Sequence, residues 1–465
     1  MRWTAEQLAT AAGGRLLRSG ERQIAGAFID SRVPVADGVF VPVVAARDGH
    51  DFIGDALAGG AAAVLQGPGR AVPGGGCTVV EVDDTLASLG ALASAARASW
   101  TGPVVAITGS NGKTTTRAMI EAVLRTRYPA VLATRGNFNN HLGVPLTLLG
   151  EPHAPDAAVV ELGMSAPGEN AALAAIVRPD VAVITSVAIE HLEFMGSLEA
   201  IAAAEAETVR HVRPGGVVVA PDDEPLLAPH VPADALRFGS GEGSAVQIVG
   251  VEQEERTHVT LRVRLADGSV EEVRTSLALF GAHNARNAAA ALAVGLHLGC
   301  PLPAMLAALA EVLPVGDRGR VLQWGPHLLV ADCYNANPGS VAAALHSLAG
   351  LRRPGPLVAV LGDMLELGPD APTLHAEVGA LAARLRLDAV FTFGALAQHA
   401  AAAAQIGGIA AWHAGDSLED LIAAVRARFG PRPGAVLIKG SRGMRLERVV
   451  AALMDGSPVA ATGCH

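Results

Sequence analysis

Nine consecutive residues, TGSNGKTTT at 108–116, combine two glycines, a lysine and a run of hydroxyls. An apolar, strand-like run at 104–108 enters the segment and a helix-forming run at 115–125 leaves it. That is the setting a phosphate-binding loop requires. Gly109 and Gly112 let backbone N–H groups of the stretch through Ser110 and Asn111 turn onto phosphate oxygens, and the helix that follows adds its positive end. Lys113 would meet the β- and γ-phosphates, and the hydroxyl of Thr114 or Thr115 would reach magnesium. The common GxxxxGK[ST] pattern is not met, because Ile107 stands where its first glycine belongs. An ordinary glycine turn with an exposed lysine is the competing reading.

Further polar residues sit where strand-like runs end. Glu161 closes the run 157–161, and His191 follows the run 180–185 by one short loop. In a doubly wound sheet the carboxyl ends of strands converge on the ligand crevice, so both could reach a metal at the phosphate loop. On spacing alone a loop carboxylate and a surface histidine are the stronger readings. Asp332, after the run 328–331, stands with Tyr334, Asn335 and Asn337, which suits either a polar site or turn chemistry.

The elements that must position these residues form an α/β pattern. Residues 1–100 open with a helix capped by Thr4 and Gln7, followed by short strands at 38–43, 62–65 and 78–82 and a helix at 85–99. This predicts a small mixed domain. Residues 101–313 alternate strands with helices, which predicts a doubly wound parallel sheet. A β excursion is expected over 217–279, where runs 258–265 and 270–276 flank an Asp267–Gly268 hairpin turn. Residues 314–457 repeat the strand–helix alternation as a third, Rossmann-like unit, with the segment 314–320 as the hinge of a large motion. Residues 458–465 form a tail expected to be disordered.

Composition agrees with roughly three domains for 465 residues. Lys and Arg number 35 against 45 Asp and Glu, a net charge of −10 that argues against a dedicated nucleic-acid or anionic-membrane binder. Cys77, Cys300, Cys333 and Cys464 lie far apart without metal-site spacing, as in a reducing compartment. Glu6, Arg15 and Arg18 interrupt any apolar leader. The uncharged runs near 287–310 and 389–415 are broken by prolines or polar residues and are rich in alanine, which gains little from lipid.

With these segments in view the chain resembles the Mur ligases, ATP-dependent amide-forming enzymes of peptidoglycan precursor synthesis, over about residues 30–453. TGSNGKTTT is that family's form of the phosphate loop. RGNFNNHLGVPLTLL at 135–149, DCYNANPGS at 332–340, LGDMLELG at 361–368 and KGSRGM at 439–444 resemble the member that adds D-alanyl-D-alanine. The DNPR motif of the neighbouring diaminopimelate- or lysine-adding member is absent. DSR at 30–32 and DGHDF at 48–52 resemble the family's UDP-sugar-binding domain.

The resemblance implies a ligase that joins D-alanyl-D-alanine to UDP-N-acetylmuramoyl-tripeptide with ATP and magnesium, working as a cytoplasmic monomer. It implies that Lys113 meets the ATP phosphates and that Thr114, Glu161 and His191 ligate magnesium. Asn284 and Asn287 of GAHNARN would lie near adenine, and Arg320 and Asp332 near phosphate and ribose. Ser31 and Arg32 would face the UDP end, and Asn137, Asn139, Asn140 and His141 would line the central cleft. Tyr334, Asn335, Asn337, Lys439, Ser441 and Arg442 would contact substrate from the third domain. Asn287 as a plain helix cap and His141 as a satisfied loop histidine are the alternatives. Another Mur-type ligase, a folylpolyglutamate-synthase-like ligase and a silent nucleotide-binding paralogue are the alternatives for the whole chain.

Three positions depart from the family pattern. Glu205 stands where the resemblance implies a carbamylated lysine supporting a second magnesium. It is expected either to replace that charge without carbon dioxide, or to be an ordinary helix-face glutamate. Ser165 and Asn170 stand where relatives often carry Asn and Ile, with little effect on the chemistry expected.

Overall fold

The computed structural model describes residues 2–150 and 154–455. The expected tail and Cys464 lie outside these residues. Three sheets organise the chain. In the first, Arg15–Arg18 pairs antiparallel with Thr78–Glu81, and Ala63–Gln66, Val39–Phe40 and Ala27–Phe28 continue it in parallel. The Thr4 capping box with Gln7 starts the helix Ala5–Ala12 as expected.

The second sheet runs in the order Val270–Leu277, Thr257–Arg264, Val246–Gln253, Leu236–Gly239, Val217–Pro221, Val181–Ile184, Val104–Thr108, Ala157–Glu161, Val131–Ala133. Val104–Thr108 is buried at every residue, because helices cover both faces of this central strand. The expected β excursion needs correction. Val217–Pro221 and Leu236–Gly239 pair in parallel and extend the main sheet, Val246–Gln253 joins them in parallel, and antiparallel pairing begins only between Val246–Gln253 and the two strands after it. Only a short 3-10 turn, Pro225–Leu227, joins the first two, so their apolar runs read like the hairpin strands that follow. The hairpin turn itself has Gly268 at φ +84° and Asp267 accepting from the Ser269 N–H at 2.9 Å.

The third sheet has the order Arg320–Trp324, His327–Asp332, Ala435–Lys439, Leu357–Gly362, Ala389–Phe393, Ala410–His413, parallel except for its first hairpin. Its parallel strands end together on the side facing the second sheet's phosphate loop.

Alanine is used for close helix packing. Helix Asn284–His297 buries Ala288 to Ala291 completely, and a Cβ on Gly295 would come within 2.3 Å of Met305 and 2.4 Å of Val123. The uncharged run near 287–310 is therefore two short helices, Asn284–His297 and Leu302–Ala310, with a break between them. No helix among the described residues is long and apolar enough to cross a membrane.

The units are tied by specific bonds. Arg97, buried at the end of helix Thr85–Ala98, donates to the Val177 carbonyl at 2.8 Å and to Asp180 at 2.9 Å. Asn337 of the third unit donates to Asn111 of the phosphate loop at 2.9 Å.

Candidate active site

The phosphate loop joins Val104–Thr108 to helix Lys113–Leu124, two residues earlier than the helix read from sequence. Gly109 sits at φ +122° and Gly112 at +86°, and a Cβ on Gly109 would come within 2.8 Å of the Thr185 backbone nitrogen. Only glycine fits there. The loop is braced from behind. The Ser110 N–H donates to the Ser186 carbonyl at 2.9 Å, the Asn111 N–H to the Ser186 hydroxyl at 3.0 Å, and the Gly109 N–H to Glu205 at 2.7 Å. These three N–H groups thus already have acceptors within the protein, although Ser110 and Asn111 line the cavity in front of the loop. The donors left for an anion are those of Gly112, Lys113, Thr114 and Thr115 at the helix start, which have no intrahelical acceptor.

A cavity of about 670 Å³ opens in front of this turn, walled by the phosphate loop, the ends of the second sheet and the third unit. Lys113 is half-buried in it and stands 3.8 Å from Glu190. Burial alone would press its amine down, but the fields of Glu190, Glu205 and Glu161 together hold it above the ordinary lysine value. Glu190 is pushed up to about 8, by burial first and by Glu205 beside it, against the pull of Lys113.

Glu161 is buried. One carboxylate oxygen accepts from the Thr114 hydroxyl at 3.2 Å and from Asn139 at 3.0 Å. The other faces Arg117 at 3.5 Å without a hydrogen bond. Asn284 and Asn287 form a buried chain: Asn284 donates to the Phe280 carbonyl, Asn287 to Asn284, and the Thr116 hydroxyl to Asn287. Asn287 is thus braced against the loop rather than capping a helix. Asn139, Asn140 and His141 line the cavity; Asn137 does not.

The third unit supplies Asp332, Tyr334, Asn335, Asn337 and Lys439 to the same cavity. Lys439 is buried against Asp332 at 2.8 Å, and Asn337 also caps helix Pro338–Ala349. A second cavity of about 270 Å³ adjoins the first, lined by His191, Tyr334, Glu366, Ser441 and Arg442 among others. The Tyr334 ring separates two guanidiniums, Arg318 at 3.8 Å from its centroid and Arg442 at 5.7 Å.

Several expected residues lie elsewhere. Arg320 begins a strand, pairs with Asp317 at 2.8 Å and lines neither cavity; Arg318, two residues earlier, lines the larger cavity, as does Arg286. The motif GDRGR holds Arg318 and Arg320; Arg318 precedes the strand and lies over the Tyr334 ring, whereas Arg320 is the strand's first residue and turns to Asp317. Ser31 and Arg32 lie on the first unit away from both cavities, with Arg32 exposed and forked onto Asp30. Glu190, His283 and Glu366, none of them singled out by sequence, line the cavities; Glu190 could have been found as the neighbour of His191.

Glu205 matches neither expectation. It is 1% exposed, so it is no helix-face glutamate, and it is absent from the cavity lining. Its carboxylate holds Gly109 from behind and accepts from Asn170 at 3.2 Å. Two of the departures from the family pattern, Glu205 and Asn170, are therefore partners in one buried contact. Burial drives the Glu205 carboxyl upward, against Lys113 and the Gly109 N–H.

Among the described residues no three His, Cys, Asp or Glu side chains converge to cage a metal. Magnesium does not need such a cage: it keeps waters and takes one or two carboxylates with substrate phosphates. The Thr114 hydroxyl beside Glu161, with one Glu161 oxygen lacking a hydrogen-bond donor, fits that requirement.

Comparison with known proteins agrees with this geometry. Residues 107–295 match the Mur ligase middle domain, and residues 318–442 match the Mur ligase, glutamate ligase domain. The UDP-N-acetylmuramoyl-tripeptide–D-alanyl-D-alanine ligase of Bacillus subtilis (strain 168) is 37% identical over 437 residues, 93% of each chain. The enzyme of that name from Escherichia coli (strain K12) is 33% identical over 434 residues, 92% of this chain and 93% of the other. The crystal structure of MurF from Acinetobacter baumannii superposes with a TM-score of 0.87 at 30% identity, covering 98% of this chain and 99% of that one. MurF ligase from Thermotoga maritima in complex with ADP gives 0.80 at 29% identity, with 92% and 97% covered. The chain belongs to the Mur ligases, and within them to the UDP-N-acetylmuramoyl-tripeptide–D-alanyl-D-alanine ligases.

Proposed function

We infer that this protein is an ATP-dependent ligase that joins D-alanyl-D-alanine to UDP-N-acetylmuramoyl-tripeptide, giving the pentapeptide precursor of peptidoglycan. The observation that carries the reading is the shared cleft, in which a phosphate loop with a half-buried lysine faces the polar strand ends of the third unit. The terminal carboxylate of the tripeptide takes the γ-phosphoryl group of ATP, forming an acyl phosphate and releasing ADP. The dipeptide amine then attacks the acyl carbon and phosphate leaves.

A carboxylate approaching an anionic phosphoryl group is repelled, so cations and positioning must do the catalysis. Lys113 is the fixed cation, and the first-turn N–H groups of Lys113, Thr114 and Thr115 receive phosphate oxygens. Thr114, Glu161 and His191 would hold magnesium, which when bound neutralises phosphate charge. Asn284 and Asn287 face the base, Asp332 the ribose, and Arg318 takes the phosphate role expected of Arg320. Asn139, Asn140 and His141 guide the tripeptide end across the cleft, while Ser31 and Arg32 of the first unit meet the UDP end. Arg442 and Ser441, with Tyr334 and Asn335, receive the incoming dipeptide.

The division of labour follows the three units: 1–100 for the UDP-sugar, 101–313 for ATP, and 314–457 for closure and the dipeptide. Closure about 314–320 excludes water from the acyl phosphate. We assign the enzyme to the cytoplasm as a monomer; Cys77, Cys300 and Cys333 are unpaired, as suits a reducing compartment.

The test is ATP-dependent phosphate release, with product identified by mass. Tripeptides ending in diaminopimelate or lysine are each offered with D-alanyl-D-alanine, single amino acids or folates. Release only with a UDP-MurNAc-tripeptide and the dipeptide is expected. Turnover with single amino acids or folates, or none with any pair, refutes the reading.

A further inference from the structure

His191 and Glu366 meet across the cleft between the second and third units. His191 Nδ1 lies 2.5 Å from a Glu366 carboxylate oxygen. His191 lines both cavities, whereas Glu366 lines only the smaller one. An ionised carboxylate can only accept, so Nδ1 carries a proton, and a neutral imidazole held in this way keeps its lone pair on Nε2.

The contact is held from both sides. Among the described residues six non-glycine residues have positive φ, and two of them are His191 at +49° and Glu366 at +63°. Such backbone is disfavoured for a residue with a side chain and persists where surroundings impose it. The segment carrying Glu366 is fixed to its own unit: the Met364 N–H donates to His375 and the Leu365 N–H to Ser441, each at 2.9 Å. It also touches the segment carrying His191, where the Glu193 N–H donates to the Glu366 carbonyl at 3.4 Å.

We propose that Glu366 is a positioning residue for His191, delivered by the third unit when the cleft closes. Its carboxylate fixes the ring orientation and the Nδ1–H tautomer, leaving Nε2 as the acceptor or ligand atom of the active site. The imidazole is then correctly presented only in the closed state, which ties its competence to domain closure. The proposal rests on the reading of His191 as a residue of the ligase site. A carboxylate behind a ligating histidine is a recurrent arrangement whose loss costs about 10–100-fold.

The experiment compares E366A and E366Q with the full-length wild type. Long-range ¹H–¹⁵N spectra of histidine-labelled, metal-free protein with a non-hydrolysable ATP analogue report the tautomer, with H191N assigning the signal. Wild type and E366Q, which keeps an acceptor oxygen, should show the Nδ1–H tautomer; E366A should show a mixture. In steady state, E366A should lose about 10–100-fold in kcat, with KM for ATP and dipeptide little changed, and E366Q should recover most of it. An unchanged His191 spectrum in E366A, or a rise in every KM with kcat intact, would overturn the proposal and make Glu366 a simple latch. Full turnover in H191N would instead sink the reading of His191, while the spectra would still judge Glu366.

Discussion

Glu205 offers the sharpest test of how this phosphate loop is held. Its carboxylate accepts the Gly109 N–H at 2.7 Å and the Asn170 amide at 3.2 Å, and it is fully enclosed. Replacing it with alanine leaves the Gly109 N–H buried without an acceptor, a loss of about 1–3 kcal/mol, and removes a packed methylene worth roughly 0.8 kcal/mol more. Asn170 keeps the Ala204 carbonyl at 3.2 Å, so its share is small. Glutamine keeps an oxygen for Gly109 and removes a buried charge that repels Glu190. The expectation is that E205A melts several degrees lower and binds ADP at least about tenfold more weakly, since the freed Gly109 loosens the loop by more than the roughly 1.4 kcal/mol that tenfold represents. E205Q should match wild type in both, and turnover of wild type should not depend on added bicarbonate. Differential scanning calorimetry and titration calorimetry with ADP give both numbers. If E205Q loses turnover while melting and ADP affinity stay at wild-type values, the charge acts inside the cleft and the reasoning is wrong. An unchanged E205A would refute it equally.

Other variants probe the same cleft. G109A places a methyl group within 2.8 Å of the Thr185 backbone nitrogen at φ +122°, and strain of about 1–3 kcal/mol should weaken ADP binding by roughly tenfold or more; calorimetric affinity equal to wild type would contradict the packing. N111A removes the bond to Asn337 but leaves the helix cap intact, so nucleotide-bound protein should spend more time open, visible as a larger radius of gyration by solution scattering. Burial lowers the pKa of His375, whose Nε2 accepts the Met364 N–H. A depressed histidine contributes stability that is present above its unfolded value of about 6.5 and is lost as pH falls through its folded value. The third unit should therefore melt progressively earlier below about pH 6.5, and H375Q should flatten that dependence in a calorimetric pH series.

Much of this arrangement was legible because it is local. The run Val104–Thr108 is apolar at almost every residue and meets a glycine turn, so strand, loop and lysine follow from adjacent residues. Asp267–Gly268 specifies its hairpin for the same reason. What escaped depends on partners far apart in sequence. Glu205 reaches Gly109 across 96 positions and His191 reaches Glu366 across 175, and no periodicity encodes either contact. Arg318 and Arg320 are both plausible by type, and only the start of the strand decides which faces the nucleotide. Asn170 and Glu205 each looked like an isolated departure; their contact explains why they occur together.

The net charge of −10 pointed away from anionic ligands, and the cleft itself is more acidic than that figure suggests. Glu161, Glu190 and Glu205 all act on the single amine of Lys113. Two unit charges about 6 Å apart interact by roughly 3 kcal/mol at an effective dielectric near 20, so one lysine that also faces Glu161 cannot by itself offset a polyphosphate. First-turn N–H groups and Arg318 supply part of the difference. A divalent cation, which Glu161 and Thr114 would hold, would supply the rest most directly by offsetting the nearest repulsion. ADP affinity should therefore fall by at least about tenfold when EDTA replaces magnesium, more steeply than a change in ionic strength alone produces. In E161Q, with the carboxylate gone, the difference between EDTA and magnesium should shrink. Equal ADP affinity in EDTA and in magnesium would mean that Lys113, Arg318 and the helix end suffice, and that the acidic wall serves the loop rather than the ligand.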